Sequence, residues 1–278
     1  MQPPELFVAV NDDLVPASQA SLLVNDLSIQ RGYGVFDFFK TLDHHPVFID
    51  DHLDRLFHSA GQLRLEIGKT RQQLRELIDA LREKNDIPDS GIRLTLTGGY
   101  SPDGYTLIKS NLVISQSPLS ANIMAECQPG IRLVSYPHQR QLPNAKTIDY
   151  LMAIWLQPFI KSRSADDVLY HRDGIITECP RSNFFIVTAE DTLVTPARHM
   201  LKGIIRSKVL HLAKRQCKTE ERDISLEQLQ TVKEAFITST TKHILPVLSV
   251  DGQPIGKGYP GRIAQWLNRE LYLLTRPS

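Results

Sequence analysis

The stretches L-P-N-A-K-T-I-D-Y, Leu142 to Tyr150, and T-E-C-P-R-S-N-F-F-I, Thr177 to Ile186, bracket the part of the chain around which the rest is organised. Lys146 stands in the middle of the first, and Glu178 near the start of the second. Between them an amphipathic run continues to Ile160, with Met152, Trp155, Leu156 and Phe159 apolar. A hairpin signal follows at Asp173-Gly174, a pair that accepts the positive φ angles of a tight two-residue turn. One lysine and one glutamate establish nothing by themselves, so their meaning depends on the surrounding motifs.

Upstream, Glu5 to Val10 and Ser21 to Leu27 read as short strands, and Val35 to Thr41 as an apolar strand after Gly32 and Gly34. Asp50 to Arg64 reads as a helix with Leu53, Leu56, Phe57, Ala60 and Leu63 on one face. Thr70 to Asn85 reads as a second helix, opened by a Thr70/Gln73 capping box. Ile92 to Thr97 alternates: Ile92, Leu94 and Leu96 face one way, Arg93, Thr95 and Thr97 the other. The turn-rich loop Gly98 to Tyr105 follows, and then a strand over Leu107 to Ser115. S-P-L-S-A-N at Ser117 to Asn122 is the best linker. Downstream, Ile131 to Tyr136, Asn183 to Thr188, Thr192 to Thr195, Ala235 to Thr238 and Ile244 to Val250 read as strands. Helices are expected from Leu201 to about Gln216 and from Arg262 to Leu274.

Composition removes several classes of function. A net charge of +1 with scattered Lys and Arg gives no reason to expect nucleic acid or an anionic membrane as partner. No apolar run reaches transmembrane length, and the N-terminus reads as no secretory signal. Three cysteines, Cys127, Cys179 and Cys217, lack C-x-x-C spacing, so neither a disulfide framework nor a zinc site is expected, and a cytoplasmic location is the default. P-loop, Rossmann, nucleophile-elbow and H-E-x-x-H signatures are absent, and no metal site is expected from the scattered histidines.

Two places read as anion cradles. One is the helix start at Gly203, where Gly203, Ile204 and Ile205 would present free N–H groups. The other is the Ser239-Thr240-Thr241 turn. Neither is specific alone, because most glycine-led helix starts and serine–threonine turns bind nothing.

The motifs in order are G-V-F-D at Gly34 to Asp37, D-H-L-D-R-L at Asp51 to Leu56, Lys146, T-E-C-P-R-S-N-F-F at Thr177 to Phe185, L-K-G-I-I-R at Leu201 to Arg206 and T-S-T-T-K-H-I-L-P-V at Thr238 to Val247. Over nearly its whole length the chain resembles the class IV (fold type IV) pyridoxal-phosphate aminotransferases, and most closely an atypical D-amino-acid transaminase. The resemblance implies an α+β, two-domain fold. A small α+β domain would span 1–118, a linker 119–122, and a larger cofactor-binding domain with a barrel-like sheet 123–278.

It also implies roles. Lys146 would hold pyridoxal phosphate as a Schiff base and shuttle the proton, and Glu178 would bond the pyridine nitrogen. Arg55, the Ile204 and Ile205 N–H groups and Thr240 would cradle the phosphate, with Arg181 serving the phosphate or the ring hydroxyl. Thr241 and Lys242 would lie on the substrate side. The loop Gly98 to Tyr105 lacks the arginine and histidine by which D-amino-acid transaminases usually hold the substrate carboxylate, which leaves Arg31 and Arg93 as candidates. The substrates implied are a D-amino acid of the alanine or glutamate type and a 2-oxo acid such as 2-oxoglutarate, handled by a homodimer with its sites at the interface. Aminodeoxychorismate lyase and branched-chain L-amino-acid aminotransferase activities are the alternatives within the family, and a non-catalytic binding subunit is the alternative outside it.

Overall fold

The computed structural model describes residues 5–119 and 129–276, which divide into two compact units. The expected linker, 119–122, lies outside the described residues apart from Leu119.

The first unit holds β1 (Phe7–Val10), β2 (Asp13–Pro16), α1 (Leu27–Arg31), β3 (Gly34–Leu42), β4 (His45–Pro46), α2 (Ile49–Gln62), α3 (Arg71–Asn85), β5 (Ser90–Thr97) and β6 (Leu112–Pro118). Its strands form one antiparallel sheet in the order β2-β1-β6-β5-β3-β4. The alternation in β5 sends Ile92, Leu94 and Leu96 into a core with Val35 and Phe39 of β3, Leu53 and Leu56 of α2, and Leu74, Ile78 and Leu81 of α3. Burying such side chains is worth roughly 1.5–3 kcal/mol each. The opposite face of β3 and β5 carries Phe36, Phe38, Arg93, Thr95 and Thr97. Thr70 caps α3 with the reciprocal bonds of a capping box to Gln73, as its spacing predicts.

Residues Ala145–Asp149 group with this unit although they follow 129–144 in sequence. The physical reason is a short antiparallel pairing on the open edge of β3: Phe36 N donates to Lys146 O at 2.9 Å, and Ile148 N to Gly34 O at 3.1 Å. Gly34 is needed there, because a Cβ would lie 2.8 Å from Leu96 O and 3.1 Å from the Ile148 side chain.

The second unit holds β7 (Ile131–Pro137), α4 (Leu151–Trp155), α5 (Gln157–Ser162), β8 (Asp167–Arg172), β9 (Ile175–Ile176), β10 (Glu178–Cys179), β11 (Ser182–Val187), β12 (Leu193–Thr195), α6 (Ile204–Ala213), β13 (Thr219–Glu221), β14 (Glu234–Ser239), β15 (His243–Val250), β16 (Gln253–Pro254) and α7 (Arg262–Thr275). A mixed sheet runs β13-β12-β11-β14-β15-β7-β8-β9, with β10 on β11 and β16 on β15. The pairs β7–β8, β7–β15 and β12–β13 are parallel. Asp173 and Gly174 adopt φ of 51° and 78° in the β8–β9 turn, the pair of positive angles expected there.

Three expectations differ from what is observed. Ser21 to Leu27 is not a strand; the chain turns at Asp26 into α1. The strand expected from Leu107 starts only at Leu112, because Asp103 gathers the N–H groups of Tyr105 and Thr106 into a turn. The helical run to Ile160 is two short helices that meet at Leu156, with a proline just inside α5. No helix among the described residues is long and apolar enough to cross a membrane, and no group of three potential ligands for a metal ion occurs among them.

Candidate active site

Within the first unit, Lys146 is half-buried and fixed through its backbone: its N–H donates to Ser59 Oγ of α2 at 3.1 Å and its carbonyl pairs with β3. Its Nζ lies 4.5 Å from the centre of the Phe36 ring. The Arg93 guanidinium lies 3.9 Å from the centre of the same ring. The strand register explains this: Phe36 faces Thr95, with Arg93 diagonal to it on the same face. An amine and a guanidinium therefore share one aromatic platform. Such cation–π contact helps hold a side chain in place.

Arg55 projects from α2 toward β3, where Asp37 accepts from its Nε and Nη2, each at 2.8 Å. His52 Nδ1 lies 2.7 Å from Asp37 Oδ1, and both of those side chains are about 1 % exposed. Burial alone would push the Asp37 carboxyl up. The Arg55 charge and hydrogen bonds, with His52, outweigh that and hold it well below the usual carboxylate range. Burial pulls the His52 pKa down against the Asp37 charge, with Arg55 and Lys146 adding to the fall, so the ring is neutral at pH 7. The carboxylate then accepts the Nδ1 proton, and Nε2 is left buried without a hydrogen-bond partner. Arg55 Nη1 takes no part in the pairing with Asp37. Arg31 lies elsewhere in this unit, exposed at the end of α1, where a Cβ on Gly104 would stand 3.3 Å from its Nη2.

In the second unit, Glu178 is buried at 4 % exposure and held at both oxygens. Arg140 Nε donates to Oε1 at 2.8 Å, and Leu201 N to Oε2 at 3.0 Å. Arg140 also donates through Nη2 to Pro143 O at 2.8 Å, which fixes the guanidinium before it meets the carboxylate. The strand register places Glu178 opposite Asn183, and Asn183 opposite Thr238, on one face of β10, β11 and β14. Asn183 Nδ2 donates to Leu201 O at 2.7 Å, tying this face to the segment before α6. Gly203 caps α6 without a side-chain hydrogen bond, so the first N–H groups of the helix keep their donors. A Cβ on Gly203 would stand 2.1 Å from Asn183 Oδ1.

Thr238 Oγ1 and Ser182 Oγ are buried without hydrogen-bond partners. Uncapped helix donors beside an orphaned hydroxyl suit an oxyanion such as a phosphate, so the residues present fit the phosphate of pyridoxal phosphate. Thr240 and Thr241 occupy the turn between β14 and β15, where Ser239 Oγ accepts from Lys242 N at 3.1 Å. Lys242 Nζ lies 3.7 Å from Asp167 Oδ2. Arg181 is exposed in the turn between β10 and β11.

Lys146 and Arg93 thus come together on Phe36, and Glu178 is linked through Leu201 to the start of α6. Arg31 Nη1 donates to Gln30 O at 2.9 Å at the end of α1, and Arg181 stands in the β10–β11 turn. Asp37, His52, Arg140 and Asn183 hold the candidate residues or the segments beside them, and are not singled out by the sequence for that part. Asp37 and His52 lie within the quoted motifs, and an acid beside a buried helical His-x-x-Arg is the available signal. Arg140 is 38 residues from Glu178, and nothing local marks that pairing.

Comparison with known proteins adds independent findings. The sequence model described as "Amino-transferase class IV" matches residues 34–250. A D-alanine aminotransferase of Bacillus licheniformis is 27% identical over 264 residues, covering 93% of each chain. Branched-chain-amino-acid aminotransferase-like protein 2 of Arabidopsis thaliana is 30% identical over 99% of this chain, which spans only 51% of that protein. A branched-chain amino acid aminotransferase of T.th., solved with pyridoxamine 5'-phosphate, superposes with a TM-score of 0.88 at 24% identity, covering 99% of this chain and 97% of that one. That superposition shows the fold, which is the two-domain fold type IV.

Proposed function

The chain belongs to the class IV aminotransferases, pyridoxal-phosphate-dependent enzymes, and from that premise we propose that it moves an amino group between a D-amino acid of the alanine or glutamate type and a 2-oxo acid such as 2-oxoglutarate. One observation carries the amino-acid part: the Arg93 guanidinium and the Lys146 amine share the Phe36 ring, which puts a carboxylate-binding cation beside a candidate proton carrier. The D-configuration is supported by the T-S-T-T turn at Thr238 to Thr241 and by the D-alanine aminotransferase relative.

Pyridoxal phosphate, when bound, supplies an aldehyde for the amine and a ring that accepts electrons. The chain's own residues would do the rest. Lys146 Nζ would take the proton from the substrate α-carbon and pass it to the cofactor within the same half-reaction, and would run the transfer in reverse with the 2-oxo acid. Glu178, held by Arg140 and the Leu201 N–H, would hold the ring nitrogen's proton. Arg55, oriented by Asp37, would bind phosphate, as would the Ile204 and Ile205 N–H groups and Thr240. Arg93 and Arg31 would bind the substrate carboxylate. Arg181 would serve the phosphate or the ring hydroxyl, and Thr241 and Lys242 would lie on the substrate side, with Lys242 Nζ 3.7 Å from Asp167 Oδ2.

A homodimer working in the cytoplasm belongs to the same reading. Apolar side chains exposed on the first unit, among them Val24 at 80% and Tyr105 at 86%, support the dimer. The decisive experiment adds single D- and L-amino acids to the yellow holoenzyme and follows loss of the cofactor's visible band. Bleaching by D-alanine or D-glutamate is expected. Bleaching by L-leucine with no response to D-alanine would move the assignment to branched-chain substrates. Pyruvate release from aminodeoxychorismate would move it to the lyase.

A further inference from the structure

Arg31 is the last residue of α1, a helix of five residues in which only Leu27 is buried. So short a helix does not hold itself, and one buried side chain does not position it. Its place is set by hydrogen bonds that converge on Asp26. Asp26 is fully buried and caps the helix, its Oδ1 accepting from Ser28 N at 2.8 Å. Its Oδ2 accepts from Thr97 Oγ1 at 2.7 Å and from Asn111 Nδ2 at 2.9 Å.

Thr97 ends β5, the strand of Arg93, and projects from the same face. It also receives Gly99 N at 3.2 Å, at the start of the loop that leads to Tyr105. The backbone repeats the connection, with Leu27 N to Gly99 O at 3.0 Å, Gly98 N to Tyr33 O at 3.0 Å and Ser101 N to Asn25 O at 3.1 Å. Gly104 completes it, passing so close to Gln30 that a Cβ would stand 2.5 Å from Gln30 Oε1. One buried carboxylate thereby fixes α1, the β5 terminus and the loop in a single arrangement.

We propose that Asp26 is the positioning residue of the substrate-carboxylate clamp, holding Arg31 in register with the strand that carries Arg93. This rests on the reading that Arg31 binds the substrate carboxylate. Asp26 touches no substrate; it acts by setting where the guanidinium stands. Asp26→Asn keeps the shape and the acceptor for Ser28, but it turns an amide N–H₂ toward Asn111 Nδ2, donor against donor. Adding Asn111→Asp restores an acceptor opposite that donor while preserving the oxygen that accepts from Asn11 Nδ2 at 3.2 Å.

The test is steady-state kinetics of the holoenzyme variants D26N, N111D/D26N, R31A and D26N/R31A. Substrates are D-alanine, D-glutamate and a primary amine without a carboxylate. D26N is expected to raise KM for the amino acids about tenfold with kcat little changed, and to leave kcat/KM for the plain amine within about twofold. The N111D/D26N pair should recover most of the lost KM, and D26N should add little on top of R31A. A normal KM in D26N while R31A raises it would overturn the positioning role and leave the clamp standing. An unchanged KM in R31A would overturn the clamp reading itself. Additive effects of D26N and R31A would show that Asp26 acts by another route. If D26N does not fold, Thr97→Val removes one of the three bonds, and it should raise the amino-acid KM about threefold with the same indifference to the plain amine; equal losses on all substrates would overturn the proposal.

Discussion

Two buried aspartates in the first unit are kept ionised in opposite ways. Asp37 faces full charges and near-charges: the Arg55 guanidinium grips both its oxygens, and His52 adds a ring N–H. Asp26 faces no cation in its shell of bonds, only the Ser28 N–H, the Thr97 hydroxyl and the Asn111 amide. For both, burial pushes the carboxyl up and the partners more than reverse it. The difference is what each carboxylate does for its partner. Asp37 orients an arginine that would meet a phosphate, where strong charge must stay put. Asp26 orients a helix end and a loop, through three donors that it holds together at one carboxylate.

Arg55→Leu tests that contrast most severely. It strands the Asp37 carboxylate beside a neutral histidine, and about 3–5 kcal/mol of folding stability should be lost in urea unfolding of the cofactor-free chain. Cofactor affinity, read by fluorescence titration, should fall with it. Asp26→Asn should cost less, about 1–3 kcal/mol in the same assay, because it converts one neutral hydrogen-bond conflict and leaves no charge unpaired. Equal losses in the two variants would break the comparison.

The acid limb sharpens it further. Each aspartate has its folded pKa below the unfolded value of about 4, so its stabilisation is complete above that value and is lost as pH falls through the folded pKa. Asp37→Asn should therefore flatten the fall in urea midpoint below about pH 4 more than Asp26→Asn does. A wild-type slope in Asp37→Asn would show that the carboxyl is not held low. Smallest of all, Thr97→Val should cost about 1 kcal/mol, measured by the shift in thermal midpoint.

The elements legible in the sequence are those whose signal is local. The Thr70/Gln73 box, the Asp173-Gly174 turn and the alternation from Ile92 to Thr97 each carry their cause within a few residues, and each is found. The α1 helix carries no period because only Leu27 is buried, and its cap, Asp26, is explained by Thr97 and Asn111, far along the chain. The exposed Ile108 makes the loop before β6 resemble a strand, whereas Asp103 decides it. For the candidate site, the sequence singles out Lys146, Arg55 and Glu178 through the motifs around them. It does not single out the partners that orient them, since a contact such as Arg140 to Glu178 depends on a fold that brings distant residues together.

The edge pairing of Lys146 on β3 has a consequence for how the molecule can be cut. The first unit is not a continuous piece of chain: Ala145–Asp149 are threaded back into it. A gene fragment ending near residue 119 would lose the partner of Gly34 and Phe36, and with it the lysine. It would expose a bare strand flank, open to pairing with other copies of itself. Lys146 follows the first unit's strands and helices in sequence, after 129–144, yet is seated on that unit's β3 edge, so a single cut of the chain separates it from its seat.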